Sequence, residues 1–180
     1  MKDKRISAMV YTAVMAAALC ILGPLSVPIG PVPVSLATFV IYIFLYVVGM
    51  KKGVAAVAVY LLLGLVGIPV FSGYSGGPAK MFGPTGGYLI GYLFLAAAAG
   101  YFIDRFDAKI IPSVLGMVIG TLILYVLGTA WLAKTAGMSF AAALSAGVIP
   151  FIGVDAAKMA AAAILGPVIQ KAVKRALHNS

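Results

Sequence analysis

Pro150-Phe-Ile-Gly-Val-Asp155-Ala-Ala-Lys158 opens directly onto Met159-Ala-Ala-Ala-Ala-Ile-Leu-Gly-Pro-Val-Ile169, an apolar run without a charge. This junction decides the fold class. The run reads as a membrane-spanning helix, and the two charges stand at its mouth. Asp155 is the only acid after Asp107, and Lys158 follows three residues later, so on a helix the two share a face. An unpaired aspartate inside a span costs ~2.5–3.5 kcal/mol, and ionisable residues kept at that cost are functional by default. The bland account is an ion pair that neutralises both charges, or an aspartate favoured by the helix dipole in the first turn. Either way the pair marks a place where charge is kept at the edge of an apolar solvent.

The whole chain fits that solvent. It has 180 residues, 63% of them hydrophobic and only 9% charged, with a mean hydropathy of +1.13. Soluble domains carry about 25% charged residues. The length suits one domain over residues 1–180, with room for six spans of ~20 residues and no second soluble unit. The net charge of +9 would suggest nucleic acid in a soluble protein. Here the positive charges cluster at the ends of apolar runs, as a membrane surface demands, and no nucleic-acid partner is expected. The acids are four Asp; Cys20 is the single cysteine and His178 the single histidine. A disulfide within the chain and a cysteine-based metal site are therefore excluded. No carboxylate pair, triad or histidine cluster is present, so the chain is not expected to be an enzyme.

Outward from the junction, the chain divides into apolar runs and polar connections. Lys2-Asp-Lys-Arg5 before an apolar run resembles a signal peptide, but that run is long and further spans follow, so residues 6–23 read as span one. Pro24, Pro28, Pro31 and Pro33 make a stiff loop. Span two covers residues 34–50, Lys51-Lys52-Gly53 is a tight turn, and span three covers 54–68. A long Gly- and Ser-rich loop fills residues 69–84, span four covers 85–103 and span five 111–132. Residues 140–147 are too short to span and read as a surface helix or part of a loop; span six covers 154–173. Counting Lys and Arg in alternate connections puts ten on one side (Lys2, Lys4, Arg5, Lys51, Lys52, Arg105, Lys109, Lys171, Lys174, Arg175) and three on the other (Lys80, Lys134, Lys158). The expectation is an all-α membrane protein of six transmembrane helices, with both termini cytoplasmic and long Gly/Pro-rich loops outside. Long loops concentrate binding function, so the external face is the ligand face.

Small residues form ridges. Gly83, Gly87 and Gly91 are spaced by four where span four begins, so a helix or a flat ligand could approach the backbone there. Gly116 and Gly120 make a second ridge, for which helix packing is the preferred reading. Ala13 and Ala17 are a small pair on span one, suited to packing or to docking another membrane protein. No Gly-Lys-Ser/Thr follows the glycines, so no Walker loop is present.

Three blocks carry a family resemblance: Gly64-Leu-Val-Gly-Ile-Pro-Val-Phe71, then Gly76-Gly77, then Gly83-Pro-Thr-Gly-Gly-Tyr-Leu89. They resemble the signature of the BioY family, the biotin-binding S components of energy-coupling factor (ECF) transporters. Pro150-Phe-Ile-Gly-Val-Asp155-Ala-Ala-Lys158 is similar to that family's C-terminal Pro-Phe…Asp…Lys motif, with Val154 standing where a glycine is expected. Ala13 and Ala17 resemble its docking motif. The resemblance implies a multi-pass protein of a bacterial or archaeal cell membrane that captures biotin from outside. It also implies an EcfT-like membrane coupling protein and two cytosolic ABC ATPases as partners. No cofactor is implied: biotin is cargo, and ATP is used by the partner subunits.

The residues suit that ligand. Asp155 can accept a ureido N–H in a charge-assisted bond. Lys158 can meet the valerate carboxylate or the ureido carbonyl, and Lys80 is a second candidate for the carboxylate. Phe71, Tyr74 and Tyr88 can flank the fused rings, and Thr85 can give one hydrogen bond. Gly77, Gly83, Gly86 and Gly87 let backbone approach the ligand. Alternatives are an S component for thiamine or riboflavin, or a small membrane enzyme or assembly factor.

Overall fold

The first apolar run forms helix α1, Lys2–Leu22, which stops at Gly23-Pro24 because proline lacks the N–H that would continue it. The structure, a computed structural model, describes residues 2–178, with side chains described for 6–176. The side chains of Lys2, Lys4 and Arg5, which entered the charge count, and of His178 lie outside the described residues. The proline segment is a small hairpin rather than an irregular loop. Strands β1 (Ser26–Pro28) and β2 (Pro33–Ser35) pair antiparallel, with Pro28 opposite Pro33 beside the turn. Prolines are tolerated at such a peripheral position because no further strand needs their missing donors.

Helix α2, Ala37–Leu65, contains one non-helical residue, Gly49, at φ 76° and ψ 174°. A continuous helix of that length would hold its ends about 40 Å apart. Both ends instead meet the chain just after α1. The Leu36 N–H donates to the Leu25 carbonyl at 3.2 Å, and in the loop beyond α2 the Gly73 N–H donates to the Pro24 carbonyl at 3.0 Å. Gly49 therefore folds α2 into two antiparallel arms. The turn expected at Lys51-Lys52-Gly53 is corrected: the reversal falls on Gly49, and those three residues lie in the first turns of the second arm. Only glycine takes a positive φ without steric cost. The new helix start is satisfied by Asp104, whose carboxylate accepts the Met50 N–H at 2.8 Å.

The remaining helices are α3 (Pro78–Met81), α4 (Gly86–Arg105), α5 (Ile110–Ala136), α6 (Phe140–Gly147) and α7 (Ile152–His178), with a 3-10 turn at Ile149–Phe151. The segments Ala37–Leu65, Gly86–Arg105, Ile110–Ala136 and Phe140–Ala176 are long and apolar enough to cross a membrane, and Ile6–Leu22 is a shorter apolar helix. The protein is a mostly helical, multi-pass membrane protein.

Glycines set the closest packing, which lies between α4 and α5. A Cβ at Gly91 would stand 2.7 Å from the Leu124 side chain, and one at Gly87 would stand 2.8 Å from the Leu127 carbonyl. Gly120 meets the Leu95 carbonyl and Gly116 meets Phe102 in the same interface. Gly87 and Gly91 of the first ridge and both glycines of the second are thus used for helix packing, whereas a Cβ at Gly83, ahead of α4, would meet the Ala79 carbonyl. With α4 held on α5, the first arm of α2 and the start of α7 close the other sides of the bundle around Tyr42, Tyr46, Leu45 and Met117, all fully buried.

Candidate functional site

Asp155 lies in the first turn of α7 and is 5% exposed. Lys158 stands one turn on, and its ammonium lies 3.0 Å from Asp155 Oδ1. The same ammonium donates to the Ser35 carbonyl at 2.7 Å and to Thr38 Oγ1 at 3.1 Å. Lysine has three N–H donors, and all three are taken. Lys158 therefore ties α7 to the end of the hairpin and to the first turn of α2. Asp155 is less fully engaged. Its Oδ1 accepts from Lys158 and its Oδ2 from the Tyr125 hydroxyl at 2.7 Å. A carboxylate offers about four acceptor sites, so it can take further N–H donors. Charge is tolerated at this depth because the ion pair is hydrogen-bonded on both sides.

The free side of Asp155 faces a cavity of about 40 Å³, walled by Ser35, Thr38, Tyr88, Tyr92, Tyr125 and Phe151. That volume holds a few water molecules rather than a bicyclic ligand. Tyr88 reaches across it and donates to the Gly147 carbonyl at 3.0 Å. Its side chain fits a slot that exists because positions 128 and 147 are glycines: a Cβ at 128 would collide with the ring and one at 147 with the hydroxyl. Below the cavity Thr121 Oγ1 donates to the Met117 carbonyl at 2.7 Å, so the 2.6 Å contact with the Tyr42 hydroxyl has tyrosine as donor. The site is thus a tyrosine-walled, hydrogen-bonding pocket around one carboxylate with unspent acceptor capacity. It can recognise a neutral N–H donor between aromatic faces.

Of the residues expected from sequence, the structure brings Asp155, Lys158 and Tyr88 together at this cavity. The others lie elsewhere. Phe71 is fully buried, edge-on to Tyr60 with ring centroids 5.5 Å apart, and pressed on Gly64. Tyr74 is 65% exposed in the loop. Gly77 takes φ 87° ahead of α3 and donates to the Gly64 carbonyl at 2.6 Å. Lys80 sits on α3, where partial burial lowers the pKa of its ammonium. Thr85 is the buried N-cap of α4, and its carbonyl accepts from Tyr88 and Leu89. Gly83 accepts the Trp131 indole N–H at 2.9 Å, while Gly86 and Gly87 pack against the same tryptophan. Ala13 and Ala17 are exposed on the outer face of α1.

The sequence reading missed Ser35, Thr38, Tyr92 and Tyr125. A signal existed for the tyrosines: Tyr88 and Tyr92, like Thr121 and Tyr125, are four residues apart on apolar helices and so share a face. Ser35 enters through a carbonyl, which no side-chain pattern reveals.

A multi-pass helical protein with one small polar site at a mouth of its bundle is the class that the fold and the pocket define. The chain matches the BioY family over residues 1–175 and belongs to it. It is 34% identical over 180 residues to the biotin transporter BioY2 of Lactococcus lactis subsp. cremoris, covering 100% of this chain and 97% of that protein. It is 38% identical over 170 residues to the probable biotin transporter BioY of Pyrococcus horikoshii, covering 94% and 98% of the two chains. A crystal structure of the S component for biotin from an ECF-type ABC transporter superposes with a TM-score of 0.86 at 28% identity, covering 95% of this chain and 94% of that one.

Proposed function

We propose that this chain is the substrate-capturing S component of an ECF-type vitamin importer and that its cargo is biotin. The observation that carries the reading is Asp155: a buried carboxylate, already neutralised by Lys158, with acceptor sites left over and tyrosines around them. A ureido ring offers two N–H donors to such a carboxylate and an apolar face to the rings. Membership of the BioY family supports the choice of biotin.

In this reading the membrane is the cell membrane of a bacterium or archaeon, crossed six times, with both termini in the cytoplasm. The antiparallel arms of α2 support six crossings, since the reversal at Gly49 lies beside Lys51 and Lys52 and the basic turn Arg105–Lys109. The site then opens to the outside. The partners are an EcfT-like membrane coupling protein, which the exposed Ala13 and Ala17 face would meet, and two cytosolic ABC ATPases that use the ATP. The protein carries cargo and catalyses no reaction of its own.

The small cavity means that biotin enters only when its walls part. The loop at residues 69–84 is tied through the Gly73 N–H to the carbonyl of Pro24, two residues ahead of the hairpin at residues 26–35, and in this reading the two segments form the external cover. Isothermal titration of the purified protein with biotin, thiamine and riboflavin tests the assignment. Tight binding of biotin alone is expected; tight thiamine or riboflavin binding with no response to biotin would end the biotin reading and leave another vitamin as cargo.

A further inference from the structure

Helices α1 and α7 both pack on the first arm of α2, and a groove of about 400 Å³ runs between them. Val10, Tyr11 and Val14 form one wall, Phe44 and Val47 the floor, and Val173 the other wall. Val10 and Val14 are exposed, so the groove opens sideways out of the bundle. It shares no residue with the cavity at Asp155. Its residues stand in the first half of α1, just before the reversal at Gly49, and in the last turns of α7.

That end of the bundle is basic. Lys51 and Lys52 follow the reversal, and Lys171, Lys174 and Arg175 flank Val173. The Lys52 ammonium lies 5.1 Å from the centroid of the Tyr11 ring, so a cation–π contact holds it over the end of the groove. Among the described residues none of these five cations is in an ion pair; the pair that is present, Asp155–Lys158, lies at the other end of α7. Asp104, near the reversal, is engaged by the Met50 N–H.

In a bilayer an apolar groove of this kind takes an acyl chain, because water finds no polar partner in it. Its charged end then decides which lipid is preferred. Basic pockets between membrane helices hold anionic head groups, whereas a zwitterionic head group brings a further cation to a place already crowded with them. A lysine stem also reaches from hydrocarbon to the level of the phosphates.

We propose that the groove between α1, the first arm of α2 and α7 binds an anionic phospholipid. One acyl chain lies against Val14 and Phe44, and the phosphate meets Lys52. Tyr11 stands between the two, its ring covering the chain and steadying the ammonium. The site goes beyond the biotin reading and does not depend on it. The proposed topology puts it in the cytoplasmic leaflet.

The test uses the full chain in a neutral detergent and counts bound lipid by native mass spectrometry. Dioleoylphosphatidylglycerol and dioleoylphosphatidylcholine are compared, since they share their chains and differ in head-group charge. The parent should bind the phosphatidylglycerol at least about fivefold more tightly, the worth of one basic residue at a membrane surface. Lys52→Gln should remove most of that preference and leave phosphatidylcholine binding within about twofold. Val14→Trp fills the groove and should weaken both lipids. Lys109→Gln, at the same end but on α5 and outside the groove, should bind both like the parent. Cooperative thermal unfolding shows which variants fold, and Lys52→Gln, which removes only a charge, carries the test if Val14→Trp does not. Equal binding of the two lipids by the parent overturns the proposal, because the groove then takes any chain. Equal losses of phosphatidylglycerol in Lys52→Gln and Lys109→Gln overturn it too, because the attraction is then diffuse. Lipid binding unchanged in both groove variants, with assembly onto the coupling protein lost, would make the groove a protein interface instead. None of these outcomes alters the biotin titration, so the two readings fail separately.

Discussion

Replacing Lys158 by methionine separates a structural lysine from a ligand-reading one. The side chain keeps its length and apolar stem but loses the charge. Three hydrogen bonds disappear together: to the Ser35 carbonyl at 2.7 Å, to Asp155 Oδ1 at 3.0 Å and to Thr38 Oγ1 at 3.1 Å. There remains a carboxylate, its side chain 7% exposed, held only by Tyr125. Removing one member of a buried ion pair costs about 3–5 kcal/mol, because the other charge is stranded. For a chain of this size that is a fall of roughly 6–20 °C in the unfolding midpoint. Adding Asp155→Asn to Lys158→Met removes the stranded charge, so more than half of the loss should return. The assay is thermal unfolding of the two single variants and the double variant in one detergent. Binding of biotin and of biotin methyl ester to the Lys158 variant completes it. With every ammonium N–H spent inside the protein, the free acid and the ester should lose affinity in parallel. An unchanged midpoint, with a loss confined to the free acid, would show instead that Lys158 reads the carboxylate and would refute the assignment of its donors.

The same geometry sets the outcome of three other substitutions. Asp155→Asn should weaken biotin by about tenfold to a hundredfold by titration calorimetry, the worth of a charge-assisted hydrogen bond; unchanged affinity would leave the carboxylate a purely structural role. Gly147→Ala should expel the Tyr88 side chain from its slot and break its 3.0 Å bond to the carbonyl there, lowering biotin affinity by ~1–3 kcal/mol, whereas Gly153→Ala, in open space, should bind like the parent. Ala13→Trp or Ala17→Trp, on the exposed face of α1, should leave biotin binding intact and abolish ATP-driven uptake in vesicles carrying the partner subunits; lost binding would place these alanines in internal packing.

The architecture was legible where one physical term dominates. Apolar runs in a sparsely charged chain mark helices in lipid, and basic residues mark their ends. It was less legible where a single dihedral decides. The reversal falls on Gly49 rather than on the Lys51-Lys52-Gly53 cluster, because a positive φ and the Asp104 carboxylate act together there, and Asp104 is far away in sequence. The proline hairpin was hidden for the opposite reason: proline argues against strands in general, but not at the turn of a two-stranded ribbon. Phe71 shows a similar limit. An aromatic in a glycine-rich loop suits a ligand wall, yet Gly64 lets its ring sink into the core against Tyr60.

The site was legible in its charges and not in its neutral walls. Asp155 and Lys158 stand out because charge is rare in such a chain. A tyrosine on an apolar helix is ambiguous, since its ring suits lipid, core or ligand alike. The two charges also proved unequal in a way that spacing alone could not show. Sequence makes them a symmetric pair, either of which could hold the ligand. Geometry breaks the symmetry by counting donors against acceptors. A lysine has three N–H groups and here meets three protein acceptors; a carboxylate has about four acceptor sites and here meets two protein donors. The surplus is on the aspartate. A ligand that enters between the tyrosines therefore meets a site short of donors, and a ureido ring supplies donors without adding a charge that the bundle would have to neutralise.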